Sequence, residues 1–330
     1  MVETNVDAHA LADAADHTTQ ASTGKVRVTV TTTGPSSAGS GTAGDAGGVT
    51  MTSDAAYDRA ADLMSMTSVI HLSMPTNLSS VQAPLDSTLG GSVDMHDEMI
   101  LHGKVSYVRL QGLASSSTMS GMFPNSGDKW IKSDRSAGAD PSASDGSNSL
   151  LDQLNPMGDP SEILAYLKGV GADVTTVGHE QIDGVDTTHV HATVSMQQAI
   201  EAAGADAGKV TDSLKGLPGG SADALSRATL PVDVFIDNDH YVRRVAMTFD
   251  GDTANPMGLG SPDTDPTPAS GDPAASMAGA SSTMTFDYRD LGQPVDITEP
   301  AAADTISMCD LMAQQSAIVG SGAVVTHLGC

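Results

Sequence analysis

Val174-Thr175-Thr176-Val177-Gly178-His179-Glu180-Gln181-Ile182-Asp183-Gly184-Val185-Asp186-Thr187-Thr188-His189-Val190-His191 reads as two β-strands meeting at one turn. β-Branched residues crowd both arms, and Asp183-Gly184 suits a two-residue turn whose backbone needs positive φ. The second arm is expected to run on to Met196. Downstream, residues 231–236 and 240–249 form another such pair around Asn238-Asp239, and residues 284–288 supply the last clear strand. Upstream, residues 25–31 alternate strictly, which places Val26, Val28 and Val30 on one face. Residues 49–52 predict a short strand and residues 63–72 a longer one. Residues 95–101 and 104–110 predict two more, turning at His102-Gly103, with Val108 and Leu110 opposite Tyr107 and Arg109. The expected class is therefore α+β: many antiparallel strands, a few short helices, and one sheet face that must be covered.

The helices are signalled separately. Residues 8–17 are alanine-rich, with Leu11 their only large apolar residue. Asp159-Pro160-Ser161-Glu162 offers an N-cap, a proline at the first helical position and an early glutamate, ahead of Ile163, Leu164 and Leu167 and a stop at Gly169. Residues 197–227 predict further short helices. Stretches near 34–48, 133–149 and 250–282 are rich in Gly, Ser, Ala, Pro and Asp without periodicity, and are expected to be disordered insertions. Strands of one character flank them, so residues 1–306 are expected to form a single domain, with 307–330 a separate tail.

Charge narrows the partners. Fifteen Lys and Arg face 41 Asp and Glu, a formal charge of −26, a field that repels phosphate backbones and anionic membrane surfaces alike. Nucleic acid is excluded as an expected partner. Aromatics are 3% of the chain while Met numbers 17, so adaptable thioethers replace aromatic volume in the core. No stretch reaches the roughly 20 apolar residues of a membrane span. Met1 to Asp7 is acidic and polar, unlike a secretory leader, so an envelope destination requires a mature or truncated chain. Cys309 and Cys330, the two cysteines, stand in the tail either as a disulfide or as two free thiols.

A longer series carries a resemblance. Lys104-Val105-Ser106-Tyr107-Val108-Arg109-Leu110 is followed by Lys129-Trp130-Ile131-Lys132, Asp159-Pro160 and Leu164-Ala165-Tyr166-Leu167-Lys168. Val177-Gly178-His179-Glu180 and Ile182-Asp183-Gly184-Val185-Asp186-Thr187-Thr188-His189 come next. Leu230-Pro231-Val232-Asp233-Val234-Phe235-Ile236-Asp237, Val242-Arg243-Arg244-Val245, and Tyr288-Arg289-Asp290-Leu291-Gly292-Gln293-Pro294-Val295-Asp296-Ile297 with Pro300 complete it. In this order the chain, from about residue 8 to 306, resembles actinobacterial lipoproteins of the LppX/LprG type within the LolA-like superfamily. The resemblance implies a curved, open antiparallel sheet, a half-barrel, with helices packed on its concave face. It also implies that acyl chains or lipidated molecules are held in the cell envelope. The chain departs from that pattern in lacking a leader ending in a lipid-modified cysteine, and in carrying Phe235 where such proteins usually have tryptophan.

Reactive constellations are weak. His189 and His191 share a strand face with Asp186 near in sequence, but a metal site needs three or four ligands and no further cluster completes one. They are read as solvent-facing strand histidines. Asp237-Asn238-Asp239 lacks the continuation of a calcium loop and reads as an Asx-rich turn. Glycines near 39–48 and 216–220 lack the strand-to-helix context of a phosphate cradle. No Gly-x-Ser-x-Gly turn is present. The expectation is a non-enzyme with no cofactor and no metal.

Val26, Val28, Val30, Val108, Leu110, Val190, Val194, Val245, Met247, Met284 and Phe286 alternate with polar neighbours. Periodicity leaves them either as ordinary core beneath helices or as the lining of a lipid cavity. The resemblance favours the second: a monomeric binder or carrier of a lipid or acylated glycolipid in the cell envelope, with a membrane partner protein. The alternative is a sensor or interaction module of the same fold with its cavity collapsed.

Overall fold

In the computed structural model, the described residues are 6–33, 48–73, 92–111, 129–134, 164, 167, 170–195, 197–198, 201, 229–250 and 281–311. They form helix α1 (Ala8–Thr19) and strands β1 (Thr23–Thr33), β2 (Gly48–Asp58), β3 (Leu63–Ser73), β4 (Ser92–His102), β5 (Val105–Gln111) and β6 (Trp130–Asp134). Strands β7 (Val170–Ile182), β8 (Val185–Ser195), β9 (Thr229–Asp237), β10 (Val242–Asp250), β11 (Ser281–Arg289) and β12 (Thr305–Ser307) follow.

All twelve strands belong to one sheet, ordered β12-β6-β5-β4-β3-β2-β1-β11-β10-β9-β8-β7. Two meanders, β1–β6 and β7–β11, are joined where β1 pairs antiparallel with β11, Val28 opposite Phe286. Only β12 on β6 runs parallel, and the sheet is open, ending at β7 and β12. The expected open antiparallel sheet is what the chain builds.

Turn chemistry agrees with the residues. Asp183 and Gly184 take φ of 51° and 82°, the doubly positive pair that matches the twist of a two-residue hairpin. At the β9–β10 turn the buried Asp237 carboxylate accepts from the backbone N–H of Asp239 and of Tyr241, each at 2.9 Å, and from Arg243 Nε at 2.5 Å. The β4–β5 turn falls at Gly103-Lys104, one residue beyond the expected position, because His102 still pairs with Val105 and Gly103 supplies the positive φ.

Helix α1 is capped by Asp7, whose Oδ1 accepts from the N–H of Ala10 at 2.8 Å. It buries Leu11, Ala14, Ala15 and Thr18 and packs against β7 and β10. Its alanines let the helix approach the sheet closely. Thr18 Oγ1 then accepts from the N–H of Val242 at 2.8 Å, beside the register shift that interrupts the β9–β10 ladder. Leu164 and Leu167 are buried in the same apolar cluster.

Some expectations need correction. β2 spans eleven residues, not the four read at 49–52, since Asp54 pairs with Arg27 and Ala55 turns inward. β6 and β12, of five and three residues, are too short for a period to show in the sequence. Gly48, Ser133, Asp134, Asp250, Ser281 and Ser282, assigned to linking stretches, end strands instead. The helix at 159–169, apart from Leu164 and Leu167, lies outside the described residues, as do the remainder of the three insertions and most of 197–227. Cys309 is disulfide-bonded, and the chain has one other cysteine, Cys330.

Candidate functional site: the apolar face of the sheet

Register places all eleven candidate residues on one face. Across nine strands one row reads Val190, Val234, Val245, Phe286, Val28, Ser53, Ser68, Asp97 and Leu110. A flanking row holds Ala192, Val232, Met247, Met284, Val30, Met51, Ile70 and Met95. On the other flank Val26, Ala55, Met66, Met99, Val108 and Ile131 follow one another from β1 to β6.

This face carries two apolar clusters. Val26, Val28, Val30, Val194, Val245, Met247, Met284 and Phe286 join Leu11, Ala14 and Ala15 of α1 in the larger one. Val108 belongs to a second cluster with Ala55, Met66 and Met99, against which Met64 and Leu101 pack. Val190 is buried, and Leu110 is placed by backbone register opposite Asp97. The helix therefore sits over the β7–β10 side, while the β2–β5 side of the same face is lined by methionines.

Sequence reasoning missed the polar group on that face. Ser53 Oγ donates to Ser68 Oγ at 2.9 Å, and Ser68 hydrogen-bonds the Asp97 carboxyl. All three side chains are buried. Burial pushes the Asp97 carboxyl above its ordinary range, against the opposing pull of the Ser68 hydroxyl and the Asp97 backbone N–H. A signal was present in Met95-x-Asp97-x-Met99, where strand parity puts the acid between two apolar side chains.

The opposite face is polar and is knit by charge. Its row runs His189, Phe235, Arg244, Asp287, Arg27, Asp54, Thr67, Glu98 and Arg109. Arg27 grips Asp54 through two nitrogens at 2.8 and 3.0 Å, Arg244 Nε meets Asp287 at 2.5 Å, and Arg109 pairs with Glu98. Such pairs contribute a fraction of a kcal/mol each where exposed, about 0.2–1.

His189 is not the solvent-facing residue expected. Its ring stacks on Phe235 at 4.3 Å, and Nε2 lies 2.9 Å from Asp233, leaving the side chain 15% exposed. His191 is exposed and reaches the same Asp233 oxygen at 3.0 Å. Burial pushes the Asp233 carboxyl up, but the hydrogen bonds and charge of His189 and His191 outweigh it and hold it low. Among the described residues no group of three or more His, Cys, Asp or Glu is arranged to hold a metal ion.

Residues 291–301 run along one rim of the sheet. Gly292 N–H donates to Thr23 O at 2.8 Å at one end. At the other, Glu299 accepts from Tyr107 Oη at 2.8 Å and pairs with His102. These hydrogen bonds, Tyr107 first, hold the Glu299 carboxyl below its usual range. Beyond it, β12 adds to β6.

Sequence comparison with protein-family models and with curated proteins finds no match. Among solved structures the chain is similar to LprF from Mycobacterium bovis, at 14% identity and a TM-score of 0.39, covering 89% of this chain and 97% of that one. It is similar to lipoprotein LppX of Mycobacterium tuberculosis at 13% identity and a TM-score of 0.37, covering 88% and 97%. A LolA superfamily protein from Nitrosomonas europaea follows at 10% identity and a TM-score of 0.19, covering 89% and 96%. Among the described residues no helix is long and apolar enough to cross a membrane.

Proposed function

We propose that the protein is a non-enzymatic binder or carrier of acyl lipids in the bacterial cell envelope, folded as one domain over residues 1–306. The observation that carries this reading is the methionine-lined continuation of the apolar face across β2–β5, on the side of the sheet away from the strands under α1. Met64 and Met95, half-buried beside the buried Met66 and Met99, offer flexible, polarizable side chains that fit chains of varied shape. Acyl chains lie against that surface, and the valines beneath α1 continue the apolar floor. Each buried methylene contributes about 0.8 kcal/mol, so a dozen methylenes hold firmly without a covalent bond. The ligand class is a lipid or acylated glycolipid, and a membrane partner protein delivers or receives it. The protein works as a monomer and uses no metal or cofactor.

A second reading follows from the near-complete burial of the larger cluster, Val234, Val245 and Phe286 being 0% exposed. A sheet whose apolar face is filled by its own side chains suits a sensor or interaction module. Native mass spectrometry with lipid extraction, on protein purified from an actinobacterial host, separates the two. A stoichiometric acylated species supports the carrier. Protein that emerges empty and takes up neither fluorescent diacylglycerol nor fluorescent fatty acid overturns it in favour of the module.

A further inference from the structure

Seven of the eight methionines among the described residues lie on the apolar face of the sheet. Five of them are buried there, Met66 and Met99 facing each other across β3 and β4, whereas Met64 and Met95 are half-buried. We propose that Met64 and Met95 are an oxidation site: a hydroperoxide converts their thioethers to sulfoxides, which breaks up the apolar surface of β2–β5 and closes it to an acyl ligand. The consequence for the ligand rests on the lipid-binding reading above; the reactivity of the pair and its effect on packing do not.

Access separates the pair from its neighbours. A thioether reacts without a cofactor, but only where an oxidant reaches the sulfur, so oxidation follows exposure. The sulfur attacks the outer oxygen of the hydroperoxide. The O–O bond breaks, an S–O bond forms, and the proton passes to the oxygen that leaves as water or an alcohol. Sulfur gives up two electrons and the hydroperoxide gains them. Position then gives the product its effect. Met64 stands opposite Tyr57 on β2 and Leu101 on β4, and it packs against both apolar clusters, the one beneath α1 and the one on β2–β5. It is therefore the side chain through which the two clusters meet. Met95 stands opposite Ile70, which packs on the larger cluster and in turn faces the buried Met51. A sulfoxide oxygen carries a strong dipole and calls for a hydrogen-bond donor, which leucine, isoleucine and methionine side chains do not supply. Oxidation at these two positions thus puts a polar group at the junction of the clusters and another in the row that continues the floor. Met308 is half-buried too but lies beyond β12, outside the rows of this face.

The test treats the full chain with graded hydrogen peroxide and maps the oxygen gained by each methionine by peptide mass spectrometry. Melting temperature and uptake of a fluorescent fatty acid are followed on the same samples. Met64 and Met95 are expected to oxidise several-fold faster than Met66 and Met99. Oxidation of the pair should lower the melting temperature by about 3 °C or more and weaken fatty-acid uptake roughly tenfold, the cost of burying a polar group without a partner. The double variant Met64→Leu with Met95→Leu keeps the side-chain volume and is compared with its own untreated form, against which it should lose less than about twofold at the same dose. Methionine sulfoxide reductases acting on both epimers should restore the treated wild type. Should the double variant fail to fold, that recovery and the site mapping decide. Equal oxidation of the half-buried and buried methionines overturns the proposal, as does full oxidation of Met64 and Met95 with melting temperature and uptake unchanged. So does a loss in the double variant as large as in the wild type, which would place the damage at other methionines. If the untreated wild type takes up no fatty acid, the lipid-binding reading falls, and the mapping and the melting shift still decide the oxidation site.

Discussion

Leu11→Ala tests whether α1 is truly seated on the sheet. Leu11 is fully buried, and the other apolar groups α1 buries are the methyls of Ala14 and Ala15. The substitution removes three carbons, about 2.4 kcal/mol at 0.8 kcal/mol per methylene. Ala14 and Ala15 cannot lean in to fill the space, so a cavity cost adds to this, for a total of about 3–4 kcal/mol. With a guanidinium m-value near 5 kcal/mol/M, the unfolding midpoint falls by about 0.7 M with its slope unchanged. Amide exchange supplies a local readout: the Val242 N–H is held by Thr18 Oγ1, and should exchange faster as the helix loosens. Leu11→Met, which conserves volume, should cost less than about 1.5 kcal/mol. A loss below about 1 kcal/mol for the alanine variant, with Val242 still protected, would refute the packing described for α1.

Gly24→Ala puts a methyl 2.6 Å from Tyr57 Oη and 3.1 Å from Leu291, both packed groups, and should destabilise by about 1–3 kcal/mol in the same denaturation assay. Glu299→Gln weakens the link of residues 291–301 to Tyr107 and His102. Because the Glu299 carboxyl is held low in the folded chain, its contribution is present above the unfolded value and lost as pH falls through the folded one. The wild type should therefore lose part of its advantage over the variant on acidification, seen as converging melting temperatures between pH 5 and pH 3. Asp97 has the opposite sign: its raised carboxyl favours the fold below the unfolded value, and the benefit is lost as pH rises through the folded one. Asp97→Asn should accordingly melt higher than the wild type at pH 7, the gap closing near pH 3; a wild type that melts higher at pH 7 contradicts the buried acid.

The strands were legible wherever one face was apolar and the other not. Val26, Val28 and Val30 announced β1, and Asp183-Gly184 fixed the β7–β8 turn, since both signals act over a few residues. β2 was half lost because Asp54, Ala55 and Ala56 have little strand propensity of their own. Their conformation comes from partners: Arg27 across the ladder for Asp54, and a closed apolar row for Ala55. The burial of His189 escapes a local reading for a similar reason. Its burial depends on Phe235 in the facing strand, a register no local pattern states. The eleven apolar candidates shared a face, as alternation implied, but their division between a helix-covered cluster and a methionine-lined one depends on where α1 lands. Asp97 went unnoticed among 41 acids, though its parity with Met95 and Met99 set it apart.

The two ends of the open sheet differ in a way that bears on self-association. β12 offers three residues, and offers them in parallel orientation. β7 is long, but its pairing with β8 shifts register between Val170 and Val174 and again between Thr176 and Gly178. A strand arriving from another copy meets a stub at one end and a bent ladder at the other. Neither is the long flat template from which fibres grow, so a twelve-stranded sheet can remain unclosed without recruiting its neighbours.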